Sequence, residues 1–275
     1  MRHEHQLPRL LKAAGLPRST FYYHLKMLEE EDPQAGLKKR ICSIYTRHRG
    51  CYGYRRVTAQ MRRDGETINH KKVQRLMQSM GLKSLVRPKK YRSYRGALAA
   101  AVPDMLQRQF TAEQPNRRWV TDVTEFNVRG EKLYLSPILD LYNGEIIAYQ
   151  TSRRPVFQMV TTMLKKAFGR LDDTDAPVLH SDQGWQYQMA AYRHELSSHQ
   201  VTPSMSRKGN CLDNAAMESF FGTLKSEFFY RSRFDSVEEL ERGLDGYIHY
   251  YNHDRIKLKL KGLSPVQYRT QALGA

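Results

Sequence analysis

The sequence has few cysteines and no long hydrophobic run. Its three cysteines, Cys42, Cys51 and Cys211, lie far apart and form no CxxC pair. This distribution suits a reducing compartment and excludes a zinc site of the usual spacing. No stretch of 18 apolar residues occurs, so we expect no membrane-spanning helix. Met1 is followed by polar and charged residues, which argues against a signal peptide. A cytoplasmic protein is therefore expected.

Positive charge is abundant, and it is concentrated in one part of the chain. The net charge is +17, and residues 1–117 contain 25 Lys and Arg against 9 Asp and Glu. Residues 118–275 contain 20 against 19. Such a basic excess predicts a polyanionic partner, because each neutralised phosphate releases counterions. The basic part lacks the sustained Leu and Trp face that binds a membrane surface, so nucleic acid is the expected partner.

Residues 1–35 are predicted to form a helix-turn-helix. The string LLKAAGLPRSTFYYHLK contains an amphipathic segment, a turn at Gly15 and a second helix through residues 21–24. Ser19 and Thr20 are the predicted cap of that second helix. This geometry presents the second helix to the major groove of DNA, although ordinary helical hairpins show the same short pattern. The candidate DNA contacts are Arg18, Ser19, Thr20 and Tyr22.

Residues 36–83 are predicted to form a second helical unit. Apolar residues recur at helical spacing from Ile41, one helix ends at Gly65, and Asn69 is placed to cap the next. The basic residues of this unit are either a second DNA-reading surface or a plain solvated face. The residues of the last helix predicted to face inward are Val73, Leu76 and Met77. The candidate DNA contacts are Arg55, Arg56, Lys71 and Lys72.

Residues 84–117 are expected to be an extended basic linker. The string VRPKKYRSYRG interleaves basic residues with two tyrosines, and this composition suits contacts to a nucleic-acid backbone together with stacking on bases. The candidate DNA contacts are Lys89, Lys90 and Arg92.

From Arg118 onward the pattern changes to alternating strands and helices. RWVTDVTEFNV predicts one strand, and KLYLSPILDLYNGEIIAYQ predicts two more with a turn at Asn143-Gly144. Predicted helices then alternate with the strands PVLHSD and VTPSMS. This order predicts a mixed sheet with helices on both faces, an α/β domain over residues 118–232. Residues 233–275 are predicted to form a helical tail.

Three acidic residues of the α/β domain are predicted to converge at one end of the sheet. We expect Asp122 in the middle of the first strand, Asp182 at the end of PVLHSD, and Glu218 on the long helix that follows. A lone carboxylate is costly to bury unless it is paired or bound to metal. Three carboxylates with open positions suit Mg²⁺ or Mn²⁺, and two such ions can support phosphoryl transfer.

The strings around these acids resemble those of a known family. Asp182 and Glu218 are separated by 35 residues, and the acids stand in WVTDVTEF, HSDQGWQY and SMSRKGNCLDNAAMESFFGTLKSE. RSTFYYHL and GYRRV precede these strings, and YIHYYNHDRIKLKLKGLSPVQYR follows them. In these blocks the sequence resembles bacterial insertion-sequence transposases of the DDE, retroviral-integrase-like class, in particular the second-reading-frame product of a two-frame family. The resemblance extends over nearly the whole chain.

The resemblance implies an RNase H-like catalytic core with Asp122, Asp182 and Glu218 as its catalytic, metal-binding triad. It implies strand cleavage by water at the ends of the element and joining by a 3′-hydroxyl, without a covalent enzyme intermediate. The implied partners are the terminal inverted repeats, target DNA, further copies of the chain, and the upstream-frame product that supplies another helix-turn-helix and a coiled coil. Glu125 and Asp140 are also expected on strands and are weaker candidates for metal ligands.

Five residues near the triad are candidates for DNA contact. His180 lies two residues before Asp182, so on a strand it shares the same face, as a contact or as a structural histidine. Asn214 lies on the helix face of Glu218, where it either binds DNA or caps the helix. The other candidates are Lys225, which resembles a DNA-contacting lysine of integrases, and Arg207 and Lys208, which precede the helix.

The sequence leaves the roles of two aromatic residues open, and it also leaves two alternative functions. Trp185 and Tyr187 are candidates for stacking on an unpaired base, although a core position is the favoured interpretation of Trp185.

One alternative function is a DNA-binding regulator or inhibitor of transposition with a silent core, against which the intact triad argues. The other is a structure-specific nuclease of the same fold, against which the long basic region argues.

Overall fold

A computed structural model describes residues 6–29, 32–86, 111–206 and 214–273, which form a helical N-terminal part and an α/β part. Among these residues, no helix is both long and apolar enough to cross a membrane. The N-terminal helices are α1 (Leu7–Ala13), α2 (Arg18–Glu29), α3 (Ala35–Arg47), α4 (Tyr54–Arg63) and α5 (His70–Ser79).

Helices α1 and α2 form the predicted hairpin. Gly15 lies between them with a φ of +62°, a left-handed value that favours glycine. The backbone amide of Phe21 donates to the carbonyl of Pro17 over 3.0 Å, so helical hydrogen bonding already begins at Pro17. Ser19 and Thr20 therefore lie inside the first turn of α2, and the prediction that they cap this helix is wrong.

Helices α3, α4 and α5 share one apolar core, as predicted. The side chain of Asn69 caps α5 by accepting a hydrogen bond of 2.9 Å from the amide of Lys71. The residues predicted to face inward from α5 are buried, while its basic residues are exposed. The buried side chains of this core from α3 to α5 and their connections are Ile41, Ile44, Cys51, Tyr52, Val57, Met61, Ile68, Val73, Leu76 and Met77.

The α/β part contains one mixed sheet of six strands. Strand β3 is antiparallel to β1 and β2 along one edge and to β4 along the other. Beyond β1, β5 and then β6 continue the sheet in parallel. The strands are β1 (Arg118–Thr121), β2 (Thr124–Val128), β3 (Glu131–Asp140), β4 (Ile146–Ser152), β5 (Val178–Ser181) and β6 (Thr202–Met205).

The first predicted strand is broken in two at Asp122 and Val123. The register pairs Thr121 with Ile138 and Thr124 with Leu135, so continued pairing would place Asp122 opposite Pro137. Proline has no N–H to donate to a neighbouring strand. The ladder is therefore interrupted there, and the expectation that Asp122 lies in the middle of a strand is wrong.

Helices cover both faces of the sheet, as predicted. One face packs against α6 (Phe157–Phe168), α7 (Trp185–Gln188) and α8 (Ala190–Ser198). The opposite face packs against α9 (Ala215–Glu227) and α10 (Val237–His253). Each face has its own buried apolar cluster, so the sheet is the shared middle layer of an α/β domain.

The C-terminal segment joins the helical part to the α/β part. The side chain of Ile256 is fully buried in the core of α3, α4 and α5, and its amide donates to the Tyr52 hydroxyl over 2.8 Å. His48 stacks on Tyr52 with ring centres 3.8 Å apart, and its Nδ1 lies 3.1 Å from the hydroxyl of Tyr250 on α10. The last helix, α11 (Pro265–Leu273), ends the described chain.

A buried ionic cluster also holds α4 against the end of α9. The Glu227 carboxylate accepts hydrogen bonds from Nε and Nη2 of Arg255, each over 2.7 Å, and from the Tyr247 hydroxyl over 3.2 Å. Arg56 of α4 lies 3.3 Å from the same carboxylate. We call Glu227, Arg255, Arg56 and Tyr247 the Glu227 cluster. Arg56, a predicted DNA contact, is therefore part of this cluster and is half-buried.

Candidate active site

Two of the three predicted carboxylates follow the ends of adjacent parallel strands. The register of β1 and β5 pairs Val120 with His180, and Asp122 and Asp182 each stand two residues further along. Neighbouring strands lie about 4.8 Å apart, so the two carboxylates emerge side by side. Backbone amides orient them: Val123 donates to Asp122 Oδ1 over 2.7 Å, and Gly184 donates to Asp182 Oδ1 over 2.9 Å.

The third carboxylate is positioned by the attachment of α9 to the end of β1. Asn214 is buried at the start of α9, and its Nδ2 donates to the Thr121 carbonyl over 3.3 Å. Its side chain neither caps the helix nor reaches the surface, so the predicted DNA contact at Asn214 is wrong. Glu218 follows one helical turn later, half-buried, because residues four apart share a helix face.

The electrostatics of the site reflect an excess of negative charge. Burial raises the pKa of Asp122 to about 7, and the nearby charges of Asp182 and Glu218 contribute to the rise, while Lys225 opposes it. Burial also raises the pKa of Glu218. The negative charges of Asp182 and Glu218 therefore both disfavour ionisation of Asp122.

The donor set fits a hard divalent cation in its chemistry and charge. All three side chains offer carboxylate oxygens, the ligands that Mg²⁺ and Mn²⁺ prefer. A cation would offset the burial and the neighbouring negative charges that raise the pKa of Asp122. Within the described ranges, however, no three His, Cys, Asp or Glu side chains are close enough together to hold one ion.

The two weaker candidates for metal ligands lie in other surroundings. Asp140 is fully buried, accepts from the amide of Asn116 over 3.0 Å and pairs with Arg269 over 3.0 Å. These partners give it a structural role. Glu125 is exposed and pairs with Lys132 over 3.0 Å, so it remains solvated.

The structure distinguishes between the alternative roles that the sequence left open for three residues near Asp182. Trp185 is 54% exposed at the start of α7, so the core position favoured for it is wrong. Tyr187 is fully buried and cannot stack on DNA. His180 is fully buried with its Nδ1 2.9 Å from the Ser204 hydroxyl, so the structural interpretation holds and direct contact with DNA is excluded. An exposed aromatic side chain therefore borders the acidic site.

The basic candidates lie in several places. Lys225 is half-buried, with its Nζ 5.3 Å from the ring centre of Phe126. The remaining described candidates are half-buried Thr20 and the exposed Arg18, Ser19, Tyr22, Arg55, Lys71 and Lys72. Those that lie outside the described residues are Lys89, Lys90, Arg92, Arg207 and Lys208.

A groove between α4 and α9 leads away from Glu218, and sequence reasoning did not find it. Its volume is about 1050 Å³. The residues that line this α4–α9 groove include Tyr54, Arg55, Glu218, Gly222, Lys225 and Tyr230. An isolated glycine within a helical pattern is the one local signal of such a feature, and Gly222 provides it.

Comparisons with known proteins agree with this architecture. The Integrase core domain family matches residues 112–211, a second family of that description matches residues 218–273, and the HTH-like domain family matches residues 31–90. The InsK protein of insertion sequence element IS150 in Escherichia coli is 56% identical over 271 residues, covering 98% of this chain and 96% of that protein.

More distant relatives cover similar spans. The transposase for insertion sequence element IS904 of Lactococcus lactis is 31% identical over 247 residues, covering 89% of this chain and 98% of that protein. A chain of the simian T-cell lymphotropic virus intasome has a similar structure at 15% identity, with a TM-score of 0.51, covering 83% of this chain and 74% of that one. The sheet and its helices therefore have an integrase-like fold.

Proposed function

The chain belongs to the insertion-sequence transposases with an integrase core domain, and from that premise we propose that Asp122, Asp182 and Glu218 catalyse DNA strand cleavage and strand transfer. The substrates would be the ends of the chain's own insertion sequence and a target DNA. The observation that carries the proposal is the placement of two carboxylates past adjacent parallel strands, close enough to each other and to Glu218 for both charges to raise the pKa of Asp122.

Divalent ions, Mg²⁺ or Mn²⁺, would be held by the carboxylates of Asp122, Asp182 and Glu218. When bound, such ions activate the attacking oxygen and stabilise the leaving oxygen of phosphoryl transfer. The chain's own contribution is orientation. The amides of Val123 and Gly184 fix two of the carboxylates.

Cation binding at this site should depend on pH, because Asp122 must release a proton. Its pKa of about 7 means that, without a cation, part of the population holds a proton on this carboxyl at neutral pH. Carboxylates bind metal in their deprotonated form, so cation binding releases that proton. Affinity for the ions should therefore increase as the pH rises through 7.

Binding of DNA would be distributed over exposed basic and aromatic residues. The N-terminal helices contribute Arg18, Ser19, Thr20, Tyr22, Lys71 and Lys72, and the border of the acidic site contributes Lys225 and Trp185. Phosphate contacts of this kind orient the duplex, while contacts to base edges specify its sequence. Further copies of the chain and the upstream-frame product are the proposed protein partners, and the bacterial cytoplasm is the proposed place of action.

The test is an end-cleavage and strand-joining assay on Asp122→Asn, Asp182→Asn and Glu218→Gln. Each variant should lose on the order of a thousandfold or more in rate, because ions in such sites stabilise the transition state by several kcal/mol. Binding of the DNA ends should stay near wild type. The matched control is Glu125→Gln, which removes an exposed carboxylate of the adjoining strand and should leave the rate unchanged. A triad variant that joins DNA at the wild-type rate would remove that residue from the site.

The same assay separates the alternatives. A wild-type chain that binds ends but neither cuts nor joins them would be a DNA-binding regulator. One that cuts without joining would be a nuclease.

A further inference from the structure

Two buried tyrosines lie next to the ends of β1 and β5, on the sheet face that packs against α6, α7 and α8. Tyr187 and Tyr192 both belong to the apolar cluster of that face. Their rings meet edge to face with their centres 5.4 Å apart. The Tyr187 hydroxyl lies beside Thr121 of β1, and the Tyr192 hydroxyl lies beside Ser181 of β5. We call Tyr187 and Tyr192 the tyrosine pair.

Each hydroxyl of the tyrosine pair is close to one of the proposed metal ligands. Thr121 directly precedes Asp122 in the chain, and Ser181 directly precedes Asp182. Burial raises the pKa of both tyrosines. The negative charge of Asp122 adds to the rise in the pKa of Tyr187, and that of Asp182 adds to the rise at both. Both phenols therefore stay protonated at neutral pH and can act as hydrogen-bond donors.

The backbone of Tyr187 is connected by hydrogen bonds to the Asp182 carboxylate. The amide of Tyr187 donates to the carbonyl of Gly184 over 3.0 Å. The amide of Gly184 in turn donates to Asp182 Oδ1 over 2.9 Å. Because the ring of Tyr187 is fully buried, it fixes the turn whose amide orients the carboxylate. The position of this ring thus affects the direction of Asp182.

Packing alone does not account for the two hydroxyl groups. Among the described residues neither makes a hydrogen bond of ordinary length and angle. The Thr121 hydroxyl beside Tyr187 donates instead to the carbonyl of Pro137 over 2.9 Å. A buried hydroxyl without a partner costs free energy, and phenylalanine would fill nearly the same space without that cost. Such groups call for a specific explanation, of which a bound ion nearby is one.

We propose that the tyrosine pair positions Asp122 and Asp182 for the binding of divalent ions. The rings hold the ends of β1 and β5 against each other, and the hydroxyls act as donors that stabilise the ionised carboxylates. Both tyrosines are positioning residues, since their buried side chains would contact neither the ion nor the DNA. The inference rests on the proposed function, in which these carboxylates hold the ions.

The test removes each hydroxyl and measures ion binding directly. Tyr187→Phe and Tyr192→Phe keep the rings and lose only the oxygen. Binding of Mn²⁺ to the full chain without DNA is followed by electron paramagnetic resonance of the free ion. It should weaken about tenfold in Tyr187→Phe, the usual effect of losing an outer partner of a metal ligand. The loss should be smaller in Tyr192→Phe, because Asp182 alone of the two aspartates acts on Tyr192.

Two further measurements separate ion binding from folding and from chemistry. The melting temperatures of Tyr187→Phe and Tyr192→Phe should equal or exceed that of wild type, because each variant loses a buried hydroxyl without a partner. In the joining assay, Tyr187→Phe should need about tenfold more Mg²⁺ for half of its maximal rate. At saturating Mg²⁺ its rate should reach that of wild type.

Tyr52→Phe is the matched control. Tyr52 is another fully buried tyrosine, in the core of α3, α4 and α5. Its hydroxyl accepts a hydrogen bond from the amide of Ile256 over 2.8 Å. Loss of this bond should lower the melting temperature by roughly 2–4 °C and leave Mn²⁺ binding unchanged. The control and the test variants should therefore show opposite patterns.

Two outcomes would overturn the inference alone. One is binding of Mn²⁺ by Tyr187→Phe with wild-type affinity, and the other is an equal loss of joining rate at every Mg²⁺ concentration. Asp182→Asn is the reference for the proposed function itself. If Asp182→Asn binds Mn²⁺ as wild type does, the proposed ion site fails and the inference with it. If Asp182→Asn loses Mn²⁺ binding and Tyr187→Phe does not, only the role of the tyrosine pair is refuted.

Discussion

Replacing Glu227 by glutamine should destabilise the protein strongly, because this residue neutralises a buried arginine. Both Glu227 and Arg255 are buried, and their two hydrogen bonds are each 2.7 Å long. Burial alone would raise the pKa of Glu227, but the hydrogen bonds and charge of Arg255 outweigh it and hold the pKa below its usual value. Glu227→Gln would leave the guanidinium of Arg255 buried without a counter-charge.

The expected size follows from the depth of the pair. Removing one partner of a buried ion pair destabilises a protein by about 3–5 kcal/mol. For a chain of this size each kcal/mol lowers the melting temperature by roughly 2–4 °C, so we expect a fall of roughly 6–20 °C. The contact between α4 and the end of α9 should loosen as well, since Arg56 shares the same carboxylate.

The measurement is thermal melting of wild type, Glu227→Gln and a control variant. Glu125→Gln is the control, since it also breaks a carboxylate–cation pair, but an exposed one, and surface pairs contribute little. Its melting temperature should match that of wild type. Melting of Glu227→Gln at the wild-type temperature, or an equal fall in both variants, would refute the reasoning.

Three further predictions follow from other contacts. Burial lowers the pKa of His48 to about 4 from 6.5, so the unfolded chain takes up its proton first as the pH falls. The free energy of unfolding should therefore decrease between pH 6.5 and 4, more in wild type than in His48→Gln; equal pH dependence in denaturant titrations would contradict this. Lys225→Ala should lower end joining strongly while Lys225→Arg retains part of it, and full joining by Lys225→Ala would return this lysine to a merely structural role. Ile256→Ala should lose about 2–5 kcal/mol in urea unfolding, whereas a loss well below about 1 kcal/mol would show that this side chain adds little to the helical core.

The fold was predictable from the sequence where the pattern is local. The Asn69 cap of α5 and the turn at Gly144 depend on neighbouring residues, and both are present. The break in the strand at Asp122 was not predictable, because its cause is Pro137 on another strand. The string RWVTDVTEFNV by itself predicts one continuous strand. Pairing across a sheet is invisible in a single segment until the register is known.

The candidate site likewise has features that local sequence patterns predict and features that they do not. The three acids were identified by their motifs and spacing, and the order of strands and helices predicted that they converge at one end of the sheet. The position of Asp122 past the end of β1 was not predicted. The solvent exposure of individual side chains was harder to infer from the sequence. Trp185 is exposed and His180 is buried, although tryptophan is on average a largely buried residue type. The Glu227 cluster joins residues of α4, α9, α10 and the segment after α10, and contacts so distant in sequence leave no local pattern.

The burial of Ile256 among helices from the beginning of the chain has a consequence for synthesis on the ribosome. N-terminal units usually fold while the rest of the chain is still being made. Here the core around Tyr52 lacks one of its buried side chains until translation has passed residue 256 and that segment has left the ribosome. A prematurely terminated product would carry the basic N-terminal helices with an incomplete core, and such chains are ready substrates for cellular proteases. Stable N-terminal fragments that could occupy DNA ends without cutting them should therefore be scarce in the cell.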